Sequence, residues 1–214
     1  MIISFLNQKG GVGKTTLSIN VATSLALKKY KVLLIDADPQ NSSLDWASIR
    51  KREGVFTVVG ITKPIIHKEI KKLAKDYDHI VIDGPPRIYD VAKSAIVSSD
   101  LVIIPVQPSP YDVWAASEVV ELIKEVSEPL EGIKSIKCCF AINRKIVNTA
   151  VGRDVTQALS HYKIEVLLSH ICQRVAYVET AAVGSTVIED YVKNLSASEE
   201  INKLTEEVLK KYGE

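Results

Sequence analysis

The chain has 214 residues, of which 46% are apolar and 25% charged, with a formal net charge of +1 at pH 7. Such a composition excludes a disordered polymer and gives no overall attraction to nucleic acid, and the length suits one sizeable α/β domain spanning residues 1–214. The longest apolar stretches, such as Leu101 to Val106, fall far short of the roughly 20 residues that cross a bilayer, and the first residues lack a basic-then-apolar leader, so a cytoplasmic location is expected.

Short β-branched runs alternate with longer segments of helical period. In chain order the pattern predicts a strand at Ile2 to Leu6, a helix at Thr15 to Lys29, and strands at Lys31 to Ile35 and Val55 to Val59. A helix follows at Pro64 to Asp76, then a strand at His79 to Ile82, a helix at Asp90 to Ser98 and a strand at Leu101 to Pro105. The helix at Pro110 to Val126 has a clear start, with Ser109 as cap, Pro110 in the first position and Asp112 in the first turn. Ile136 to Ile142 and Glu165 to Leu168 complete the strands, and Val151 to His161 and Ala197 to Lys211 the helices. Alternation of this kind predicts an α/β fold: a doubly wound, mainly parallel seven-stranded sheet with helices on both faces. Cys138, Cys139 and Cys172 lack metal-type spacing and read as buried, reduced thiols.

The strongest chemical signal lies between the first strand and the first helix, in Lys9, Gly10, Gly11, Val12, Gly13, Lys14, Thr15 and Thr16. Glycines between a buried strand and a helix let several backbone N–H groups point at one anion, reinforced by the helix N-terminus. Lys14 is placed to reach the β- and γ-phosphates of a nucleotide, and the Thr15 hydroxyl to ligate magnesium. Two later strands run into carboxylates: Lys31 to Ile35 is followed by Asp36-Ala37-Asp38-Pro39-Gln40, and His79 to Ile82 by Asp83-Gly84-Pro85-Pro86. Ligands bind at strand C-termini in open α/β sheets, so these groups should face the crevice of the glycine loop. Taken alone, the first string also reads as a turn with a helix cap.

Where the common G-x-x-x-x-G-K-[ST] pattern has its first glycine, this chain has Gln8, followed by Lys9. Lys9 to Thr15 resembles the deviant Walker A motif of the ParA/MinD superfamily of ATPases. The resemblance implies that Lys9 acts in trans on the partner's nucleotide in a dimer, as an arginine finger does. The Asp36 to Gln40 string resembles the Walker A′ motif of that superfamily, which implies that Asp38 orients the attacking water and Asp36 lies near magnesium. The strand ending in Asp83 resembles Walker B, which implies that Asp83 holds magnesium through water. Gly84 is then placed to bring a backbone N–H toward the γ-phosphate. Asn143 ends a later strand, and an asparagine at a similar place in related ATPases bonds the adenine edge. Its amide can donate and accept together, as adenine requires, but it also suits a plain loop cap.

The resemblance covers nearly the whole chain and is closest to small ParA-like partition ATPases. It implies cofactors ATP and Mg2+, a weak intrinsic ATPase stimulated by a partner, and an ATP-dependent homodimer. That dimer would bind DNA without sequence preference, sit on the nucleoid, and segregate plasmid or chromosome DNA through a cargo-bound, centromere-binding ParB-like adaptor. Starting directly at the first strand, the chain is expected to lack an operator-reading extension. Arg144, Lys145, Arg153, Lys163 and Arg174 are the candidate DNA contacts. A MinD-like spatial regulator of another cargo is the alternative. Such proteins end in a basic amphipathic helix lying on the membrane, whereas the last helix here carries four glutamates among Ile201, Leu204 and Val208, so no membrane contact is expected.

Overall fold

The computed structural model describes residues 1–87, 89–146 and 151–213, with the backbone alone for 151–154. Seven strands form one sheet: β1 (Ile2–Phe5), β2 (Val32–Asp36), β3 (Thr57–Gly60), β4 (His79–Asp83), β5 (Leu101–Val106), β6 (Lys137–Ile142) and β7 (Glu165–Val166). Their order is β3-β2-β4-β1-β5-β6-β7, and every pairing is parallel. The chain runs outward from β1 to β3, returns to β4, then crosses to the other side of β1, so the segment after β1 emerges where the strand order reverses. This is the expected doubly wound architecture.

Eight α-helices accompany these strands among the described residues: α1 (Lys14–Leu27), α2 (Ser42–Ser48), α3 (Ile66–Leu73), α4 (Tyr89–Ser98), α5 (Pro110–Ser127), α6 (Val151–Ser160), α7 (Ala176–Ala181) and α8 (Leu195–Tyr212). Both faces of the sheet are covered, which is why its strands read as continuous apolar runs. Side chains alternate across it. Ile3, Phe5, Val32, Leu34 and Val81 pack with α1, α2 and α8. Leu33, Ile35, Ile80 and Ile82 pack with α3 and α4, and Val102, Ile104 and Phe140 with α4, α5 and α6.

α1 is buried almost all round, from Leu17 to Leu25, because α8 lies over it. Ile201, Leu204 and Val208 of α8 are fully buried in that contact, each worth about 1.5–3 kcal/mol of burial. Ser24 also donates to Asn202 at 2.7 Å, and Lys28 pairs with Glu206 at 2.8 Å. The apolar stripe of α8 is therefore engaged by the core, as expected for a packed helix. No described helix is long and apolar enough to cross a membrane.

Three elements differ from expectation. α2 and α7 have seven and six residues, too short for a helical period to stand out, and the sequence pattern assigns no helix there. β7 ends after two residues because the N–H groups of Leu168 and Ser169 turn to the Glu207 carboxylate, at 2.9 and 2.8 Å. At Ser109 no side-chain cap forms, and its carbonyl instead accepts the N–H groups of Asp112 and Val113. Cys139 and Cys172 are buried free thiols as read, while Cys138 is only half-buried.

Burial alone would raise the pKa of Glu207, but the N–H groups of Leu168 and Ser169 and the Lys211 ammonium outweigh it and bring it down to about 2. Glu207→Gln should lower unfolding stability at pH 7 by about 2 kcal/mol in denaturant melts. The folded pKa is depressed, so the carboxylate stabilises the fold above its ordinary pKa of 4.5 and loses that contribution as pH falls toward 2. The gap between wild type and variant should shrink over that window.

Candidate nucleotide site

The loop after β1 is held in shape from three strands. Asn7 donates from Nδ2 to the Pro105 carbonyl at 2.8 Å and accepts the Lys9 N–H at 2.9 Å, fixing where the loop leaves the sheet. Gln107, just past β5, donates to the Gly11 carbonyl at 2.9 Å, and Asn143, just past β6, donates to the Val12 carbonyl at 2.7 Å. Gly11 and Gly13 adopt φ of +77° and +97°, the left-handed region open to glycine. At Gly13 a Cβ would also lie 2.1 Å from the Asn143 amide nitrogen. The Gly13 carbonyl then accepts the Leu17 N–H, and α1 begins.

Lys14 points inward, 6% exposed, with its ammonium 3.2 Å from the Lys9 carbonyl. Burial lowers its pKa, and the charges of Asp83 and Asp38 pull it back up. A desolvated ammonium with only a carbonyl to bond is well placed for a phosphate oxygen, the stronger, charge-assisted partner. Lys9 behaves differently: its ammonium turns away from the loop and pairs at 2.9 Å with Asp112 in the first turn of α5. The Lys9 side chain stays 41% exposed while that of Asp112 is buried.

Asp36 and Asp83 end β2 and β4 as register partners, and both are fully buried. Burial raises the pKa of Asp36, opposed by backbone N–H groups. Its Oδ1 accepts from Asp38 at 3.1 Å, and its Oδ2 from Ser43 at 2.9 Å and Leu44 at 3.0 Å. Asp36 was expected near magnesium: its oxygens take the N–H groups of the loop and of the start of α2, and it stands beside Asp83. Burial pushes Asp83 up to about 7, against the nearby Thr15 and Ser43 hydroxyls, which lower it, with Asp36 raising and Lys14 lowering it further. Its Oδ2 accepts the Ser43 hydroxyl at 2.8 Å, while Oδ1 is buried without a partner.

An orphaned carboxylate oxygen beside the Thr15 hydroxyl fits a hard divalent cation that keeps most of its waters and takes few protein ligands. Consistent with so sparse a donor set, no cluster of three or more acidic, histidine or cysteine side chains suited to a metal occurs among the described residues. Asp38 is half-buried at the rim, its Oδ1 accepting the Gln40 N–H at 3.0 Å and its carbonyl the Asn41 N–H at 2.9 Å. Gly84 departs from expectation, because its N–H donates to the Phe5 carbonyl at 3.1 Å and is not free for a phosphate. Close packing explains the glycine, since a Cβ there would lie 2.1 Å from Leu6.

Beside the loop lies a cavity of about 1190 Å3, lined by Thr16, Asn143, Gln173, Val175 and Val178 among others. Asn143 thus joins the glycine loop to this cavity. Arg144 stands exposed at the same rim and Lys145 is half-buried, its ammonium 3.4 Å from His170. The Arg174 guanidinium is bound by Glu200 at 2.6 Å, and Lys163 lies just before β7, at the opposite end of the sheet from the loop. The candidate DNA contacts therefore do not gather into one free patch, and the side chain of Arg153 lies outside the described residues.

A family model described as CbiA, the CobQ/CobB/MinD/ParA nucleotide binding domain, matches residues 3–187. The chain belongs to that family. Within it, the chain is 28% identical over 213 residues to the "Maintenance of carboxysome distribution protein A" of Halothiobacillus neapolitanus, covering 97% of this chain and 95% of that protein. It is 25% identical to the "Chromosome-partitioning ATPase Soj" of Thermus thermophilus, over 99% of this chain and 96% of that one. Among solved structures, an ATP complex of Cyanothece McdA matches with a TM-score of 0.81 at 15% identity, over 97% of this chain and 95% of that one. Aquifex aeolicus MinD matches at 0.78 and 22%, over 98% and 97%. Those two likenesses speak for the fold alone. The family match makes the chain a nucleotide-binding domain of the ParA/MinD type, and both relatives align with it over nearly their whole length.

Three participants were not singled out from sequence for the roles they play here: Gln107, Ser43 and, as the partner of Lys9, Asp112. The only local signal was their place just after a strand or at a helix start. Lys14→Ala should weaken ATP binding by about 100-fold in isothermal titration, the loss of one strong charge-assisted contact. Gly13→Ala should be comparably impaired while remaining folded, because it strains the loop and displaces Asn143.

Proposed function

We propose that the protein is an ATP-timed positioning switch, in which Mg2+ and ATP occupy the loop between β1 and α1 and close a homodimer over the nucleotides. The observation that carries this reading is the direction of Lys9. A lysine inside a phosphate loop gives its ammonium not to the loop but to the buried Asp112 carboxylate on α5, while its side chain stays 41% exposed and its carbonyl faces Lys14. Flanking Asp112 on α5, Tyr111 and Trp114 are 71% and 65% exposed and packed edge to face at 5.4 Å. A cation at such a surface suits delivery to the nucleotide of a second copy, where it would stabilise charge on the transferring phosphoryl group.

In this reading each side chain of the site has its own task. Lys14 binds the β- and γ-phosphates, the loop amides from Gly10 to Thr16 cradle them, and Asn143 meets the adenine edge at the mouth of the adjoining cavity. Bound Mg2+, held by Thr15 and Asp83, would neutralise charge between those phosphates. Asp38, at the rim, positions the attacking water. The ATP dimer binds DNA without sequence preference, through Arg144 and Lys145 with Arg153 and Arg174 as further contacts, and an adaptor on the cargo triggers hydrolysis. Cargo is plasmid or chromosome DNA, as the name of the Thermus relative suggests, with a ParB-like adaptor. A second reading, a spatial regulator of another cargo, is favoured by the name and full-length match of the Halothiobacillus relative.

Asp38→Ala should bind ATP normally, lose hydrolysis by at least about 100-fold, and remain dimeric with ATP in sedimentation velocity. Normal turnover in this variant would remove Asp38 from the mechanism. In a mobility-shift assay the same variant should retain duplex DNA with ATP and release it with ADP, with affinity falling steeply as salt rises. Equal binding with both nucleotides would refute the DNA step.

A further inference from the structure

Ser43 is the second residue of α2 and fully buried. Asn41, the residue before α2, forms no side-chain cap, and the first N–H groups of the helix, those of Ser43 and Leu44, go to Asp36 Oδ2, so the Ser43 hydroxyl is not needed there. The hydroxyl is directed across to the next strand and donates to Asp83 Oδ2 at 2.8 Å, while the N–H of the same residue donates to Asp36 Oδ2 at 2.9 Å. One residue thus bridges the two buried carboxylates that end β2 and β4. We propose that Ser43 is a positioning residue: its hydroxyl fixes the Asp83 carboxylate so that Oδ1 is presented to a divalent cation, and it ties that orientation to the loop carrying Asp38.

The coupling runs through short, mostly backbone links. The Asp38 N–H and the Ser43 N–H both end on Asp36, and only Pro39 to Ser42 separate Asp38 from Ser43. A shift of the Asp38 loop therefore moves the start of α2, and with it the hydroxyl that holds Asp83. The Ser43 hydroxyl is the hydrogen bond to Asp83 Oδ2 among the described contacts, so its removal leaves Oδ2 as short of a protein partner as Oδ1 already is. A carboxylate free to turn binds a cation less well than one held in place, as hydrogen-bonded ligands at metal sites are.

This inference rests on the reading of Asp83 as the cation's ligand, and the test separates the two. A fluorescent ATP analogue is titrated onto the full chain at a series of Mg2+ concentrations, and in EDTA, for wild type, Ser43→Ala, Ser43→Cys and Ser43→Thr. The alanine and cysteine variants should need about tenfold more Mg2+ to reach half of the metal-dependent gain in affinity. The threonine variant, which keeps the hydroxyl, should stay within about twofold of wild type, and all four should bind equally in EDTA. The cysteine variant preserves the volume and so carries the test if alanine fails to fold. Wild-type Mg2+ dependence in both the alanine and cysteine variants, a threonine variant as impaired as they are, or a matching loss in EDTA would overturn the role of Ser43. A wild-type protein whose affinity ignores Mg2+ would overturn the cation site itself.

Discussion

Asp36 and Asp83 stand side by side at the ends of adjacent parallel strands, both fully buried, and much of the site is an answer to that crowding. A buried carboxylate is tolerated only with hydrogen bonds or an opposite charge at hand. For Asp36 the answer is backbone: three N–H groups from the segment Asp38 to Leu44 close on it and thereby shape the loop and launch α2. For Asp83 it is incomplete, with Ser43 on one oxygen, Thr15 and Lys14 nearby, and the other oxygen open. The fold satisfies the first carboxylate with its own chain and leaves the second ready for a cation.

The same economy governs the phosphate loop. Left-handed turns at Gly11 and Gly13 are permitted by glycine, but the loop is held in place by Asn7, Gln107 and Asn143, side chains tied to three different strand ends. Holding the loop before any phosphate arrives reduces the ordering that binding requires. Because those ties come from β1, β5 and β6, the site depends on the strand order. It forms where that order reverses, and it cannot be assembled from the motif alone.

That distinction explains what was legible in the residues. Strand-glycine-lysine-helix order is local, so the loop, Lys14, Thr15 and the strand-end aspartates could be read directly, as could the seven strands. What could not be read was set by distant partners. α2 begins at Asn41, in the left-handed region without a side-chain cap, because Asp36 from the neighbouring strand caps it. β7 stops early because Glu207, some forty residues on, takes its next N–H groups. Gly84 looked like a phosphate contact and is instead a close-packing position against Phe5 and Leu6. Asn143, read for adenine, proves also to brace the loop at Val12.

In a site shared between two copies, Lys9 serves the partner's nucleotide and Asp38 its own. Mixing Lys9→Ala with Asp38→Ala tests it directly, by measuring ATP hydrolysis of each variant alone and of the equimolar mixture. Each variant alone should be nearly inactive. In the mixture, a mixed dimer carries one site with an intact Asp38 and the partner's intact Lys9, so about a quarter of the wild-type rate should return. A mixture no more active than its two components would contradict the shared site and place Lys9 and Asp38 in the service of the same nucleotide.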